Sequence, residues 1–349
     1  MRKLKIGYVP LSSSLKSPGD RRRIVYWANK RGHEIILDLS RKLDVIVASE
    51  NTDFNDKSLI QRNIPLVFDL IDAYQVPNNY LEDLIRGSSK RLIGQLSGRV
   101  NRFSNHINNF CKISNAVICS SIEQKELVEK YNSNVHVILD FHSEIPLIKF
   151  TDRNPIISER KSVLWEGQSA TIRAIKQIRD VLYDISSTRS MEYNFVTDEN
   201  YFKWLNRFNS QNTLDTLLKD LNELHSPINV LPWSIKNLEY VARKSSASLI
   251  PIDLKIPMQR YKPENRLLIM WRLGLPCLVS PTESYARVAK NSGADVVCYS
   301  TKEWVEKLDL LLTNRKYSED QVNLGQNYLT ENHSESIILK KWDMVFDSV

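Results

Sequence analysis

The run Lys262-Pro263-Glu264-Asn265-Arg266 sets two cations, a carboxylate and an amide at the head of an apolar helical face made by Leu267, Leu268, Met270 and Trp271, which Gly274 ends. Pro263 suits the first helical position, where a missing N–H costs nothing. The apolar runs Ala247–Ile252 before it and Pro276–Ser280 after it read as buried strands. Strand, helix, strand is one unit of a parallel sheet, and ligands of such sheets bind beyond the carboxyl ends of the strands, facing helix N-termini. A phosphate-bearing ligand is the chemistry this pattern expects. Arg266 in the first helical turn opposes the helix dipole unless an anion arrives, and its guanidinium could chelate two phosphate oxygens where lysine would act only as a point charge. On this reading the fold has little to lose if Arg266 is removed.

Two further sets could do chemistry. Asp69 and Asp72, in Phe-Asp-Leu-Ile-Asp, close an apolar strand and suit acid/base work or contacts to an acceptor hydroxyl; the same spacing also suits a turn with an Asp-capped start. Two residues separate them and no other ligand set is visible, so no metal is expected. The loop Leu11–Asp20 joins the first strand to the first helix. It lacks the GxGxxG pattern of a dinucleotide fold. Gly19 permits close approach of a sugar or phosphate to the backbone, with Asp20, Arg21, Arg22 and Arg23 next in line; a solvated turn with an exposed basic helix start reads the same residues equally well.

The elements that must position these groups alternate along the chain. Strands are expected at 4–9, 33–37, 44–48, 65–69, 116–119 and 135–139, with helices at 21–31, 122–131 and a long helical region from 79 to 110. Residues 143–160 lose periodicity and read as a linker. A second series follows: a strand at 163–165, a helix at 171–185, a strand at 193–196, helices across 200–224, a strand at 228–231, and the central unit. Alternation of this kind implies parallel sheets covered on both faces. The expected architecture is α/β, two Rossmann-like domains with a deep cleft between them: 1–150 on the acceptor side, 151–330 on the donor side, and a C-terminal helix at 331–349 crossing back toward the first domain. That helix is amphipathic through Ile337, Ile338, Leu339, Trp342, Met344, Val345 and Phe346.

With 349 residues, 42% hydrophobic and 26% charged, the chain is of ordinary globular composition and long enough for two cores. No run of 18 apolar residues occurs, and the start MRKLKIGYVP is too short in apolar content for a signal peptide, so a cytoplasmic chain is expected. The four cysteines (Cys111, Cys119, Cys277, Cys298) lie in apolar segments without metal or redox spacing and read as buried reduced thiols. Residues 1–150 hold 22 Lys and Arg against 16 Asp and Glu, so most of the net charge of +7 sits in the first half. This is either a solubilising surface or an attraction to an anionic membrane surface or phosphate-bearing acceptor, the latter placing the chain peripherally at the inner face of the cell membrane. The stretch 79–112, with Lys90, Arg91, Arg99 and Arg102 among Leu92, Ile93, Leu96, Val100 and Phe103, could lie on anionic lipid. A helix packed in the ordinary way would turn that apolar side to the sheet. No nucleic-acid motif or interleaved basic-aromatic stretch supports a nucleic-acid partner.

Pro-Trp-Ser at 232–234, the strand, KPENRLL and GLPCLVSP together resemble the C-terminal half of family-4-like retaining glycosyltransferases of the GT-B fold (glycosyltransferase group 1). The resemblance runs on to the last helix and more weakly over the first half. It implies sugar transfer from a nucleotide-sugar donor to a hydroxyl on a glycan or glycolipid acceptor, in bacterial surface polysaccharide or glycolipid synthesis, without metal or other cofactor. It implies a diphosphate site at Lys262, Glu264, Asn265 and Arg266 and at Gly167, Gln168 and Arg173, with the nucleotide base near Trp233. It also implies that the loop bearing Gly19, Asp20 and Arg22 and the pair Asp69 and Asp72 face the cleft. The usual Gly-Arg is here Gly167-Gln168, and the usual two glutamates eight positions apart are Tyr261 and Ile269. Glu264 stands in for the missing ribose carboxylate, or donor binding differs, or the chain is a non-catalytic or regulatory protein on this scaffold. A DNA-modifying glycosyltransferase is the remaining alternative that the net charge permits.

Overall fold

A computed structural model describes residues 2–153, 160–204 and 208–349. The stretch 154–159, part of the expected linker, and 205–207, inside the expected helical region, lie outside the described residues. The chain divides into two compact units, one of residues 1–142, 255–263 and 335–349, the other of 143–254 and 264–334.

The first unit runs β1 (Lys5–Val9), α1 (Pro18–Arg21), α2 (Ile24–Arg31), β2 (Glu34–Ile36), β3 (Val45–Ala48) and α3 (Lys57–Ile60). It continues with β4 (Leu66–Leu70), α4 (Tyr80–Leu92), α5 (Phe103–Ile113), β5 (Ala116–Cys119), α6 (Ile122–Val128) and β6 (Val135–Val137). The six strands form one parallel sheet in the order β2-β1-β3-β4-β5-β6. β3, β4 and β5 are buried on both faces, so they read in the sequence as unbroken apolar runs. One face packs on Phe54, Phe103 and Phe110. The other packs on Ile24, Trp27 and Phe141 together with Trp342, Val345 and Phe346 of the last helix. There Trp27 stacks on Phe346 with ring centroids 4.3 Å apart, and its Nε1 donates to Asp343 at 2.8 Å.

In the second unit β7 (Lys161–Glu166) leads into 3-10 turns over Ser169–Ile178, α7 (Arg179–Thr188) and β8 (Met191–Thr197). Then come β9 (Asn200–Trp204), β10 (Phe208–Asn212), α8 (Thr213–Asp220), β11 (Ile228–Pro232), α9 (Ile235–Lys244) and β12 (Ala247–Ile250). α10 (Asn265–Arg272), β13 (Cys277–Val279), α11 (Glu283–Ser292), α12 (Thr301–Thr313) and α13 (Arg315–Asn332) follow; α14 (Glu335–Asp347) belongs to the first unit. The parallel order is β11-β8-β7-β12-β13. In chain order within this sheet that is third, second, first, fourth, fifth, so the winding reverses between β7 and β12. The crevice at such a reversal is where doubly wound sheets place ligands.

The two parallel sheets and their strands agree with the sequence reading; several helices do not. The region 79–110 is two helices, because Gly94 and Gly98 take positive φ between them. The helix expected at 21–31 begins as two pieces with Arg22 and Arg23 at the break, and the one expected at 171–185 is 3-10 turns followed by α7. Residues 200–204 and 208–212 pair as an antiparallel hairpin, not helices. Its aromatic residues favour an extended chain, and Asn212 caps α8, accepting from the N–H of Asp215. α10 starts at Asn265 with Glu264 as its cap residue, so Pro263 lies just before the helix and not in its first turn.

Candidate functional site

In the second unit the site is built at the sheet reversal. β7 ends on Glu166, a buried carboxylate whose Oε1 accepts the indole N–H of Trp233 at 2.8 Å. Trp233 stands just past β11, held there by its backbone N–H donating to the carbonyl of Thr197 at 3.0 Å. Arg266, in the first turn of α10, donates from Nη2 to the main-chain carbonyl of Glu166 and lies 3.8 Å from its Oε2. Its guanidinium also covers the Trp165 ring at 4.8 Å from the centroid. The anion that Arg266 requires beside a helix N-terminus is therefore Glu166. Gly167 leaves room for this approach: a Cβ there would sit 3.0 Å from the Trp165 ring and 3.2 Å from the Arg266 Cζ, tighter than an ordinary contact.

The other donor-side residues are placed less tightly. Gln168 is exposed, and its carbonyl accepts the N–H of Thr171 at 2.9 Å. Arg173 turns toward the buried carboxylate of Asp220, 3.9 Å away, which Lys176 meets at 2.8 Å. Glu264 is buried and paired with Arg287 at 3.3 Å. Asn265 opens α10 beside Arg266. Ile269, at the position of the second family glutamate, is buried.

In the first unit the structure brings together two residues that the sequence assigned to different roles. Lys262 Nζ lies 2.6 Å from Asp72 Oδ1, and both side chains are half-buried. The backbone N–H of Asp72 donates to Glu50 Oε1 at 2.5 Å. Glu50 follows the end of β3 and is 7% exposed; burial, then the nearby Asp72 charge, push its carboxyl up to about 8. Gln95 holds this corner, donating to the Glu50 carbonyl at 3.2 Å and accepting from Lys90 Nζ at 2.9 Å. Burial lowers Lys90 to about 8. A carboxyl that is neutral near neutral pH, beside a carboxylate–ammonium pair, can give or take a proton.

Asp69 is not part of this group. It is 1% exposed and accepts two bonds from Arg23 at 2.6 and 2.9 Å, inside the core. Arg23 also bonds the carbonyl of Ile138 at 2.8 Å, so the pair ties β4 to the chain after β6. The loop residues are likewise structural supports. Asp20 is fully buried and accepts from the Tyr8 hydroxyl at 2.7 Å, from the N–H of Leu11 at 2.8 Å and from Ser12 Oγ at 2.9 Å. A Cβ at Gly19 would lie 2.3 Å from Leu11 Cδ1 and 2.7 Å from Ile71 Cδ1, so these side chains close over the glycine. Arg22 is buried, its carbonyl accepting from Phe141 N–H at 2.7 Å. Glu50 and Glu166 were missed from sequence. Each is an acid at the end of an apolar strand, the same signal that singled out Asp69.

No family model matches the chain, and no curated protein sequence does. Solved structures do match. WaaG, a glycosyltransferase involved in lipopolysaccharide biosynthesis, is 13% identical with a TM-score of 0.58 over 98% of this chain and 99% of WaaG. An α,α-trehalose 6-phosphate synthase from Burkholderia multivorans is 11% identical with a TM-score of 0.60 over 97% of this chain and 84% of its own. TarM is 10% identical with a TM-score of 0.61 over 87% of this chain and 54% of TarM, so the chain spans about half of TarM's length. A TarM variant from S. aureus was solved with UDP. With two parallel sheets in the orders given above, the chain has the GT-B fold.

Proposed function

We propose that this GT-B chain is a glycosyltransferase moving a sugar from a nucleotide-sugar donor to a hydroxyl of a glycan or glycolipid acceptor, with retention at the anomeric carbon, in bacterial surface polysaccharide or glycolipid synthesis. The observation that carries the reading is the sheet reversal between β7 and β12, which sets the N-terminus of α10, with Asn265 and Arg266, beside Gly167. N–H groups at a helix start and a guanidinium there stabilise the charge that grows on a leaving diphosphate, the kind of preorganised term that dominates such transfer, and no metal is needed for it. Trp233 supplies a flat apolar face for the base. Lys262, Asp72 and Glu50 form the acceptor-side set, with Glu50 or Asp72 handling the proton of the acceptor hydroxyl. Structures of this fold include glycosyltransferases that are UDP-forming or were solved with UDP, which supports a nucleoside diphosphate as the leaving group.

A second reading, a binding or regulatory protein without catalysis, is favoured by two observations. Arg266 already has a carboxylate partner in Glu166, and the ribose carboxylate of the family is a buried isoleucine. Calorimetric titration with UDP, GDP and ADP and their sugar derivatives, followed by a product assay with the best binder, separates the two. Transfer requires a nucleoside diphosphate site that loses roughly 1.5–3 kcal/mol in Arg266→Ala, the range for a hydrogen bond to a charged group. Binding without turnover supports the regulatory reading. No binding by any nucleoside diphosphate sinks both.

A further inference from the structure

α4 is turned inside out. Leu81, Ile85, Ser88 and Leu92, spaced i, i+4, i+7 and i+11, form one stripe along the helix. That stripe faces solvent: Leu92 is 87% exposed and Leu81 63%. The opposite side, Asp83, Gly87 and Lys90, faces the protein. Asp83 is buried and accepts from the N–H and Oγ of Ser104 at 2.9 and 2.5 Å, standing in for the cap that the N-terminus of α5 lacks. Gly87 packs against the Asn101 carbonyl, where a Cβ would come within 2.0 Å. Lys90 reaches Gln95 and covers the Phe103 ring at 4.7 Å. For α4 the expectation that the apolar side of 79–112 faces the sheet is thus reversed, and the cause is these polar anchors on the inner side; Phe103, Ile107 and Phe110 of α5 do pack on the sheet.

Beyond the helix, Ile93 and Val100 extend the exposed apolar surface. Arg86, Arg91 and Arg99 are exposed around it. Residues 84–122 hold six Lys and Arg and no Asp or Glu; on α4 itself Glu82 is the exposed acid. An exposed apolar surface rimmed mainly by arginines, with Glu82 as the acid on α4, marks an interaction surface. Self-association would bring like-charged arginine rims together, whereas a bilayer with anionic headgroups offers an apolar interior to the leucines and phosphates to the arginines.

We infer that the outward face of α4 and the loop to Val100 seat the protein on an anionic lipid surface, the leucine–isoleucine stripe entering the headgroup–acyl boundary and Arg86, Arg91 and Arg99 meeting lipid phosphates. This rests on the first unit alone and is independent of sugar transfer, so vesicle binding and nucleotide binding fail separately. The test is co-sedimentation of the full chain with vesicles of phosphatidylcholine alone and of phosphatidylcholine with phosphatidylglycerol, at low and high salt. Binding is expected to the anionic vesicles and to weaken with salt, and to fall at least tenfold in Leu81→Ser/Ile85→Ser/Leu92→Ser. Leu92→Ser alone, at a position with almost no burial to lose, gives a smaller fall at an unchanged melting temperature. Arg91→Gln/Arg99→Gln reduces both binding and its salt dependence. Equal binding to neutral vesicles, no binding to either, or a triple variant that binds like the parent overturns the inference. So does a parent that is dimeric by light scattering and becomes monomeric in the triple variant, since the occupant is then a second copy of this chain.

Discussion

At the carboxyl end of β7, the acid Glu166 has an indole N–H and a guanidinium as partners; at the carboxyl end of β3, Glu50 has one backbone N–H and the carboxylate of Asp72 nearby. The two positions are alike in sequence, each an acid closing an apolar strand. In the first, the acid lies 3.8 Å from the Arg266 guanidinium, which the Glu166 main-chain carbonyl holds over Trp165. In the second, burial and the nearby Asp72 charge outweigh the pull of Lys262 and leave a carboxyl that holds its proton near neutral pH. Asp69 and Asp72, three residues apart, divide in the same way: one is spent on a buried arginine, the other pairs at a half-buried lysine. The role of a strand-end acid is set by what the fold places opposite it.

The largest effect should come from breaking the buried member of that second pair. Asp69→Ala leaves the Arg23 charge buried with only Asp140 and a carbonyl for company, and is expected to cost roughly 3–5 kcal/mol in a urea melt. Asp72→Ala is expected to cost less than half as much, because Asp72 and Lys262 both reach solvent. Equal losses would erase the distinction between core and site acids.

Glu50 offers a sharper test through pH. Its folded pKa of about 8 lies above the ordinary 4.5. Below the ordinary value both states hold the proton; between there and the folded value the unfolded chain releases it and the folded chain keeps it. Stability from this group therefore falls as pH rises through that window. In Glu50→Gln the slope is absent, so the variant gains on the parent by up to about 5 kcal/mol between the two ends. Parallel stability curves for parent and variant across the window would show that Glu50 is an ordinary carboxylate.

Removing Arg266 probes the other region. The sequence pattern alone suggests that the fold would hardly notice, since a cation opposes the dipole of α10. The structure reverses this expectation: Arg266→Ala deletes the ring contact and leaves Glu166 with Trp233 alone, at a cost of about 1–3 kcal/mol without any ligand. An unchanged melting midpoint would mean that the guanidinium is not engaged with Glu166 in solution. Smallest of all, Leu92→Ser should move stability by no more than about 0.5 kcal/mol, as for a surface site; a larger loss would place that side chain in a packed interior.

Much of the fold is legible from local pattern. Ile-Val-Ala, Leu-Val-Phe and Ala-Val-Ile-Cys are buried on both faces and announce central parallel strands, and the strand–helix–strand unit around Arg266 follows from Pro263, the apolar face and Gly274, with a two-residue error at the helix start. These are decided by backbone preference and by periodicity, which act over a few residues. The partners of the charged groups are another matter. Arg266 meets a residue 100 positions away, Lys262 one 190 away, and Arg23 one 46 away. No local rule chooses among the acids available to each, and burial decides which of them keeps a proton. α4 makes the same point for an apolar face. Its period identifies an amphipathic helix, but Asp83 on Ser104 and Gly87 against Asn101 decide which side turns inward. Composition and period determined the strands of the two parallel sheets; only tertiary pairing determined the ionic partners and the exposed face, because both depend on residues distant in sequence.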